Sequence, residues 1–106
     1  MEHNIHATVS ADHPSLAGHF PGNPVVPGVV ILDQVFEAVK AQQPRVQLVG
    51  FPVVKFVSPL KPDVEFVISL SPISDKRIRF ECAALDGALF AKGQLDINGA
   101  ENLTVA

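Results

Sequence analysis

One segment of this chain has helical periodicity, and a proline stands at each of its ends. Between Pro27 and Pro44, apolar residues recur at the i, i+3 and i+4 spacing of one helix face. Pro27 suits a helix start because its missing N–H needs no partner there, and Pro44 disfavours helical conformation in the residue before it. This predicts a helix over 29–43. Residues 29–32 are all apolar, so we expect its first turns to be buried on most sides.

The rest of the chain alternates polar and apolar residues with the period of a β-strand. Asp86-Gly87 is typical of a tight hairpin, and Pro52 indicates a bulge or an edge strand. One helix among antiparallel strands predicts an α+β fold, a single domain over 1–106 with a frayed tail from about 99. The expected strands are 3–10, 46–57, 64–70, 78–84 and 89–97.

Composition excludes several classes of protein. Eight basic against 11 acidic residues give a net charge of −3, and Tyr and Trp are absent, which argues against nucleic-acid binding. A single cysteine rules out an intrachain disulfide and a cysteine-based zinc site. No apolar run approaches the roughly 20 residues of a membrane span. The first residues lack the basic and then apolar pattern of a secretory signal, so we expect a cytoplasmic protein.

The segment before the predicted helix is the part most indicative of chemistry. Residues 18–28 read GHFPGNPVVPG, which predicts an ordered loop that carries His19 and leads into the helix at Gly28. An imidazole suits removal of a proton next to a carbonyl, and a carboxyl in apolar surroundings, such as Asp33, suits proton donation. Free N–H groups at the helix start can stabilise negative charge on an oxygen. Together these groups suit elimination of water from a 3-hydroxyacyl compound.

This motif, with an acidic residue fourteen positions after the histidine, resembles the 3-hydroxyacyl-[acyl carrier protein] dehydratases of the FabA/FabZ group. Residues 55–63, KFVSPLKPD, are similar to that family's strand and proline-containing turn after the helix. The resemblance implies the hotdog fold, in which an antiparallel sheet wraps around one central helix. It also implies a homodimer with active sites at the interface, a substrate borne on the phosphopantetheine of acyl carrier protein, and no other cofactor.

By position in the motif, His19 resembles the catalytic base and Asp33 the catalytic acid. Gly28 resembles the residue whose amide binds the thioester carbonyl. The resemblance implies that the histidine and the acid of one site come from opposite subunits. Phe20 and Pro27, which flank these groups, are expected to support them without reacting. Glu37 is expected to do the same.

Two features depart from the family pattern. Glu37 stands where the family usually has Gln, four residues after Asp33 on the same helix face. Repulsion between the two charges is expected either to keep Asp33 protonated or to move the proton to Glu37. The chain is also short, a feature similar to the dehydratases of aryl polyene biosynthetic clusters.

Other candidate residues have simpler interpretations. His3 and His6 are expected on opposite faces of a strand, so neither they nor His13 predict a metal site. Cys82 lies in an apolar alternation and is expected in the core. The five phenylalanines after residue 50 are expected to line the core or an acyl tunnel. A further set is expected either to be solvated or to meet an acidic carrier protein: Arg45, Lys55, Lys61, Lys76, Arg77 and Arg79.

The sequence therefore predicts an enzyme that dehydrates a 3-hydroxyacyl thioester to the trans-2-enoyl thioester, in fatty-acid or aryl polyene-type biosynthesis. Two alternatives stay open. One is a hotdog acyl thioesterase, although such enzymes generally activate water with a carboxylate and lack the histidine loop. The other is a non-catalytic subunit that binds acyl chains, against which the presence of both His19 and Asp33 argues.

Overall fold

The computed structural model describes residues 3–16 and 25–99. The expected order of one strand, one helix and four further strands is confirmed, with a short 3-10 turn at Pro14–Leu16. The helix begins one residue earlier than predicted. The elements are β1 His3–Ala7, α1 Gly28–Gln42, β2 Gln47–Phe56, β3 Phe66–Pro72, β4 Arg77–Ala84 and β5 Leu89–Asn98.

The five strands form one antiparallel sheet in the order β1-β3-β4-β5-β2. The hairpin between β4 and β5 turns at Asp86-Gly87 as predicted, with Gly87 at a φ of 94°. The connection from β2 to β3 passes two strands, β5 and β4, and β1 and β2 lie at the two edges of the sheet. The predicted α+β architecture of the hotdog fold is confirmed, with one helix and one antiparallel sheet.

The irregularity that Pro52 indicated lies in β2. Its pairing with β5 shifts register between Leu48 and Gly50 and again between Gly50 and Val53. In the second shift three steps along β2 match two along β5, from Asp96 to Gln94. Such bulges bend a strand and leave some residues without a hydrogen bond to the neighbouring strand. A proline, which has no N–H to donate, is therefore tolerated there. β2 is therefore both bulged and at an edge.

The core lies between α1 and the sheet. The helix contributes its buried residues from one side, and β3, β4 and β5 contribute alternate residues, including fully buried Phe66 and Phe80. Cys82 is in this core as predicted, and burial raises the pKa of its thiol to about 12. The buried residues of the helix are Val30, Ile31, Val35, Ala38 and Val39.

The expectation that the first helical turns are buried on most sides is wrong for the single chain. Val29 is 64% exposed, and Asp33 and Glu37, which follow it at intervals of four, are exposed as well. An apolar side chain in a helix predicts that its position is buried, but it does not indicate whether its own chain or a second chain buries it. In the described part of the protein, no helix is long and apolar enough to cross a membrane.

Candidate active site

α1 begins at Gly28, the residue that the sequence analysis proposed for an oxyanion site. Pro27 is the N-cap residue, with extended backbone at φ −61° and ψ 146°. Its carbonyl accepts hydrogen bonds from the amides of Val30, at 3.0 Å, and Ile31, at 3.3 Å. The amides of Gly28 and Val29 precede these and have no carbonyl four residues back within the helix. They therefore lie at the positive end of the helix dipole, where an anionic oxygen is stabilised.

A groove opens beside this helix start. Its volume is about 410 Å³, and most of its walls are apolar, which suits an acyl chain. Pro27 is half-buried next to it. The groove is lined by Val25, Val26, Gly28, Ile31 and residues 56–60.

Gly28 makes a close packing contact that the sequence did not reveal. A Cβ built on it would lie 2.6 Å from Cζ and 2.8 Å from Cε2 of Phe56, so the phenyl ring packs directly on the glycine. Phe56 ends β2, 28 residues later, and its side chain is 47% exposed. Any larger residue at position 28 would displace this ring into the groove or into solvent. The glycine thus allows the ring of Phe56 to pack closely on the helix start.

The second predicted acid, Glu37, has a partner of its own. Its carboxylate lies 2.8 Å from Nζ of Lys40, three residues further along the helix. The same ammonium stands over the ring of Phe36, 5.2 Å from its centroid. The i, i+3 spacing of Glu37 and Lys40 on a helix could have predicted this ion pair from the sequence.

Asp33 lies on the side of α1 away from the groove. Ile31 lines the groove, and each residue advances about 100° around a helix, so Asp33 is about 200° further round. Its side chain is exposed. The apolar surroundings predicted for this carboxyl are not supplied by its own chain. The structure therefore places Gly28 at the groove, with Pro27 between two of its lining residues, and Asp33 and Glu37 on the opposite side of the helix.

His19 and Phe20 lie outside the described residues. Within the described part, no three His, Cys, Asp or Glu side chains are grouped closely enough to hold a metal ion. His6, one of the histidines considered for such a site, contacts the carboxylate of Glu65 instead.

Two features of β2 were not anticipated from the sequence. Lys55 is directly opposite Lys92 of β5, and both side chains are exposed. Within the described residues, neither lysine has an ion pair. The strand also exposes a row of large apolar side chains, which only the strand order and burial reveal: Leu48, Val49, Val53 and Phe56, continued by Val57.

Comparison with known proteins identifies relatives of this chain. The family model described as ApeI-like (ApeI dehydratase) matches residues 1–94. A 3-hydroxyacyl-[acyl-carrier-protein] dehydratase FabZ from Ehrlichia chaffeensis is 30% identical over 96 residues, which cover 82% of this chain and 67% of the relative.

Solved structures show the same fold. The dehydratase heterocomplex ApeI:P from Xenorhabdus doucetiae matches with a TM-score of 0.75 and 23% identity, over 91% of this chain and 86% of the other. A 1,4-dihydroxy-2-naphthoyl-CoA thioesterase from Synechocystis matches with a TM-score of 0.65 and 18% identity, over 92% and 80%. At these identities the structural likeness bears on the fold alone.

Proposed function

The chain belongs to the ApeI-like dehydratase family, and on that premise we propose that it removes water from a 3-hydroxyacyl thioester carried by acyl carrier protein. The product is the trans-2-enoyl thioester, within fatty-acid or aryl polyene-type biosynthesis. The observation that supports this most directly is the helix start at Gly28, where backbone amides meet an apolar groove.

The proposed reaction uses three groups. His19 takes the C2 proton, and the C–H electron pair becomes the C2=C3 double bond as the C3–O bond breaks. The Gly28 amide and the helix dipole stabilise the enolate-like oxygen of the thioester. Asp33 donates a proton to the departing hydroxyl, which leaves as water. Solvent exchange then returns both side chains to their starting states, so the reaction requires no metal or redox cofactor.

We propose that Asp33 acts on the groove of a second copy of the chain. About 200° of helix separates it from the groove of its own chain, so one chain does not bring the two together. The exposed apolar residues of β2, together with Val29 at 64% exposure on α1, form a surface that a second copy would cover. β2 is a sheet edge whose outer side is open to pairing with another strand. A homodimer would bury this edge and complete two sites.

Acyl carrier protein is the proposed macromolecular partner. Lys55 of β2 is directly opposite Lys92 of β5, and Lys92 is in turn opposite Glu81 of β4, so this row of exposed side chains carries a net positive charge, which favours an anionic partner. Val57, two residues after Lys55, lines the groove. An acidic carrier seated on this lysine pair would thus lie next to the entrance of the groove. Arg77, considered from sequence, is instead held by Asp96 in a two-pronged ion pair with contacts of 2.7 and 3.0 Å.

The experiment is mass spectrometry of 3-hydroxyacyl and trans-2-enoyl carrier protein, with wild type beside His19→Ala and Asp33→Asn. Loss or gain of one water by wild type, absent in both variants, is the expected result. Mixing the two variants after dissociation tests the shared site. If half of the dimers are mixed and each holds one complete site, activity returns to about a quarter of wild type. No recovery would contradict a site built from two copies.

A second candidate function is supported by the fold of the naphthoyl-CoA thioesterase. The same assay separates it, because hydrolysis would release free thiol and leave the acyl product 3-hydroxylated. Absence of either reaction with wild type would favour the non-catalytic acyl-binding subunit.

A further inference from the structure

The five phenylalanines after residue 50 divide into two kinds, a distinction that the sequence left open. Four of them pack in or against the core as two edge-to-face pairs, Phe51 with Phe80 and Phe66 with Phe90. Phe56 belongs to neither of these pairs. Its side chain is 47% exposed and lines the groove at the helix start. Packing in the core therefore accounts for the other four rings but not for this one.

The ring of Phe56 meets the helix start with its outer end. Its carbons Cζ, Cε2 and Cε1 lie 2.6, 2.8 and 3.2 Å from the position that a Cβ on Gly28 would occupy, and they are the nearest atoms to it. The ring therefore packs on the Cα of the residue whose amide is proposed to bind the thioester oxygen. Since glycine has no side chain, nothing separates the ring from that backbone.

The backbone around the groove holds this ring in place. The amide of Val57, which follows Phe56, donates to the carbonyl of Phe90 at 2.8 Å and so ties the end of β2 to β5. Two other lining segments are tied to each other, because the amide of Val26 donates to the carbonyl of Leu60 at 2.8 Å. Rotation of the ring away from the helix would lose its contact there and expose more apolar surface to water. The ring thus forms a fixed side of the groove.

We propose that Phe56 is a specificity-determining residue that restricts the site to 3-hydroxyacyl groups without a branch at C2. This role rests on the proposed dehydratase function, in which the Gly28 amide binds the thioester oxygen. A hydrogen bond of about 2.9 Å, followed by the C=O and C1–C2 bonds, keeps C2 within about 6 Å of the Gly28 nitrogen. That nitrogen is bonded to the Cα on which the ring packs.

The consequence is steric. A methyl branch at C2 would compete with the ring of Phe56 for space beside the helix start, whereas a straight chain carries only hydrogen at that carbon. One methyl or methylene group that a pocket accepts or rejects changes kcat/KM by about 10–200-fold. A smaller residue at position 56 would remove this restriction.

The test compares 3-hydroxybutanoyl and 2-methyl-3-hydroxybutanoyl carrier protein as substrates, and measures the ratio of their kcat/KM values. Phe56→Ala removes the ring and Phe56→Leu replaces it with a smaller side chain. Because Phe56 is half-exposed, neither change opens a cavity in the core. The matched control is Phe51→Leu, which removes a phenyl ring from the same strand at a residue that does not line the groove. Both substrates are measured on one preparation of each variant, so the folded fraction cancels from the ratio.

Phe56→Ala is expected to lower the preference for the unbranched substrate by about tenfold or more, and Phe56→Leu by a smaller factor. Phe51→Leu is expected to keep the wild-type ratio within about twofold. An unchanged ratio in Phe56→Ala overturns the role of Phe56, as does an equal change in Phe51→Leu. A ratio that changes only in a variant whose oligomeric state has also changed overturns it too. A wild type that is inactive on both substrates instead overturns the proposed function, so the two failures are distinguishable.

Discussion

Two glycines in the β2–β5 ladder are expected to respond in opposite ways to the same substitution. A Cβ built on Gly93 of β5 would lie 2.0 Å from the carbonyl oxygen of Val53 and 3.0 Å from Cε2 of Phe80. A Cβ built on Gly50 of β2 meets nothing within 4 Å. The two glycines lie on either side of the bulge between the pairings of Gly50 and Val53, and beyond it Gly93 is opposite Val54, next to the carbonyl of Val53.

The magnitudes follow from what must move. At position 93 a backbone oxygen has to retreat by about 1 Å or more, against the fully buried ring of Phe80 on the other side. Overpacking of this kind costs about 1–3 kcal/mol, and the displaced strand also weakens its pairing, so we expect about 3 kcal/mol for Gly93→Ala. Gly50→Ala is expected to stabilise by about 0.4–1 kcal/mol, because alanine restricts the unfolded chain.

The assay is thermal and urea unfolding of both variants and wild type at one protein concentration, since self-association would otherwise change the midpoint. For a domain of this size 1 kcal/mol corresponds to about 4–8 °C, so Gly93→Ala is expected to melt roughly 15 °C or more below Gly50→Ala. Melting temperatures within about 2 °C of each other would refute the contact between the bulge and β5. Stabilisation by Gly93→Ala would refute it more strongly.

Three further outcomes are expected. Because burial raises the pKa of the Cys82 thiol to about 12, about one molecule in 10,000 is a thiolate at pH 8; iodoacetamide should label urea-unfolded but not native protein, and native labelling would contradict the burial. The hydrogen-bonded ion pair with Arg77 lowers the pKa of Asp96, so its stabilisation is present at neutral pH and is lost as pH falls through that lowered pKa. Asp96→Asn should therefore reduce the urea midpoint by less as the pH is lowered from 7, and a reduction that does not change with pH would contradict this. Gly28→Ala should displace Phe56 and reduce kcat/KM about tenfold, with partial recovery in Gly28→Ala/Phe56→Ala; no recovery would mean that the ring is not the obstacle.

The parts of the fold that the sequence predicted are those fixed by local periodicity. Proline at both ends of one helical pattern indicated α1 to within one residue at each end, and Asp86-Gly87 indicated the β4–β5 hairpin. Strict alternation in β4 predicted that Cys82 is buried. In α1 and β4, residues at the same spacing face the same core. Such patterns can be read within about ten residues.

The features that were missed depend on long-range register. The packing of Phe56 on Gly28 requires β2 to end beside the helix start, and the opposition of Lys55 and Lys92 requires the alignment of β2 with β5. Neither is encoded in local spacing. Pro52 indicated an irregularity in β2, but it did not indicate the size of the register shifts that the bulges introduce.

The wrong prediction about α1 is informative about the site itself. Its apolar pattern continues round the helix past the side that the chain covers, to Val29 at 64% exposure, and Asp33 lies on that same uncovered side. A lone chain gains nothing from an exposed apolar side chain beside a solvated carboxylate, whereas a chain whose helix meets a second copy buries that side chain. The proposed pairing of two copies thus accounts in one step for the exposed face, for the open edge of β2 and for the half-turn of helix between Asp33 and the groove.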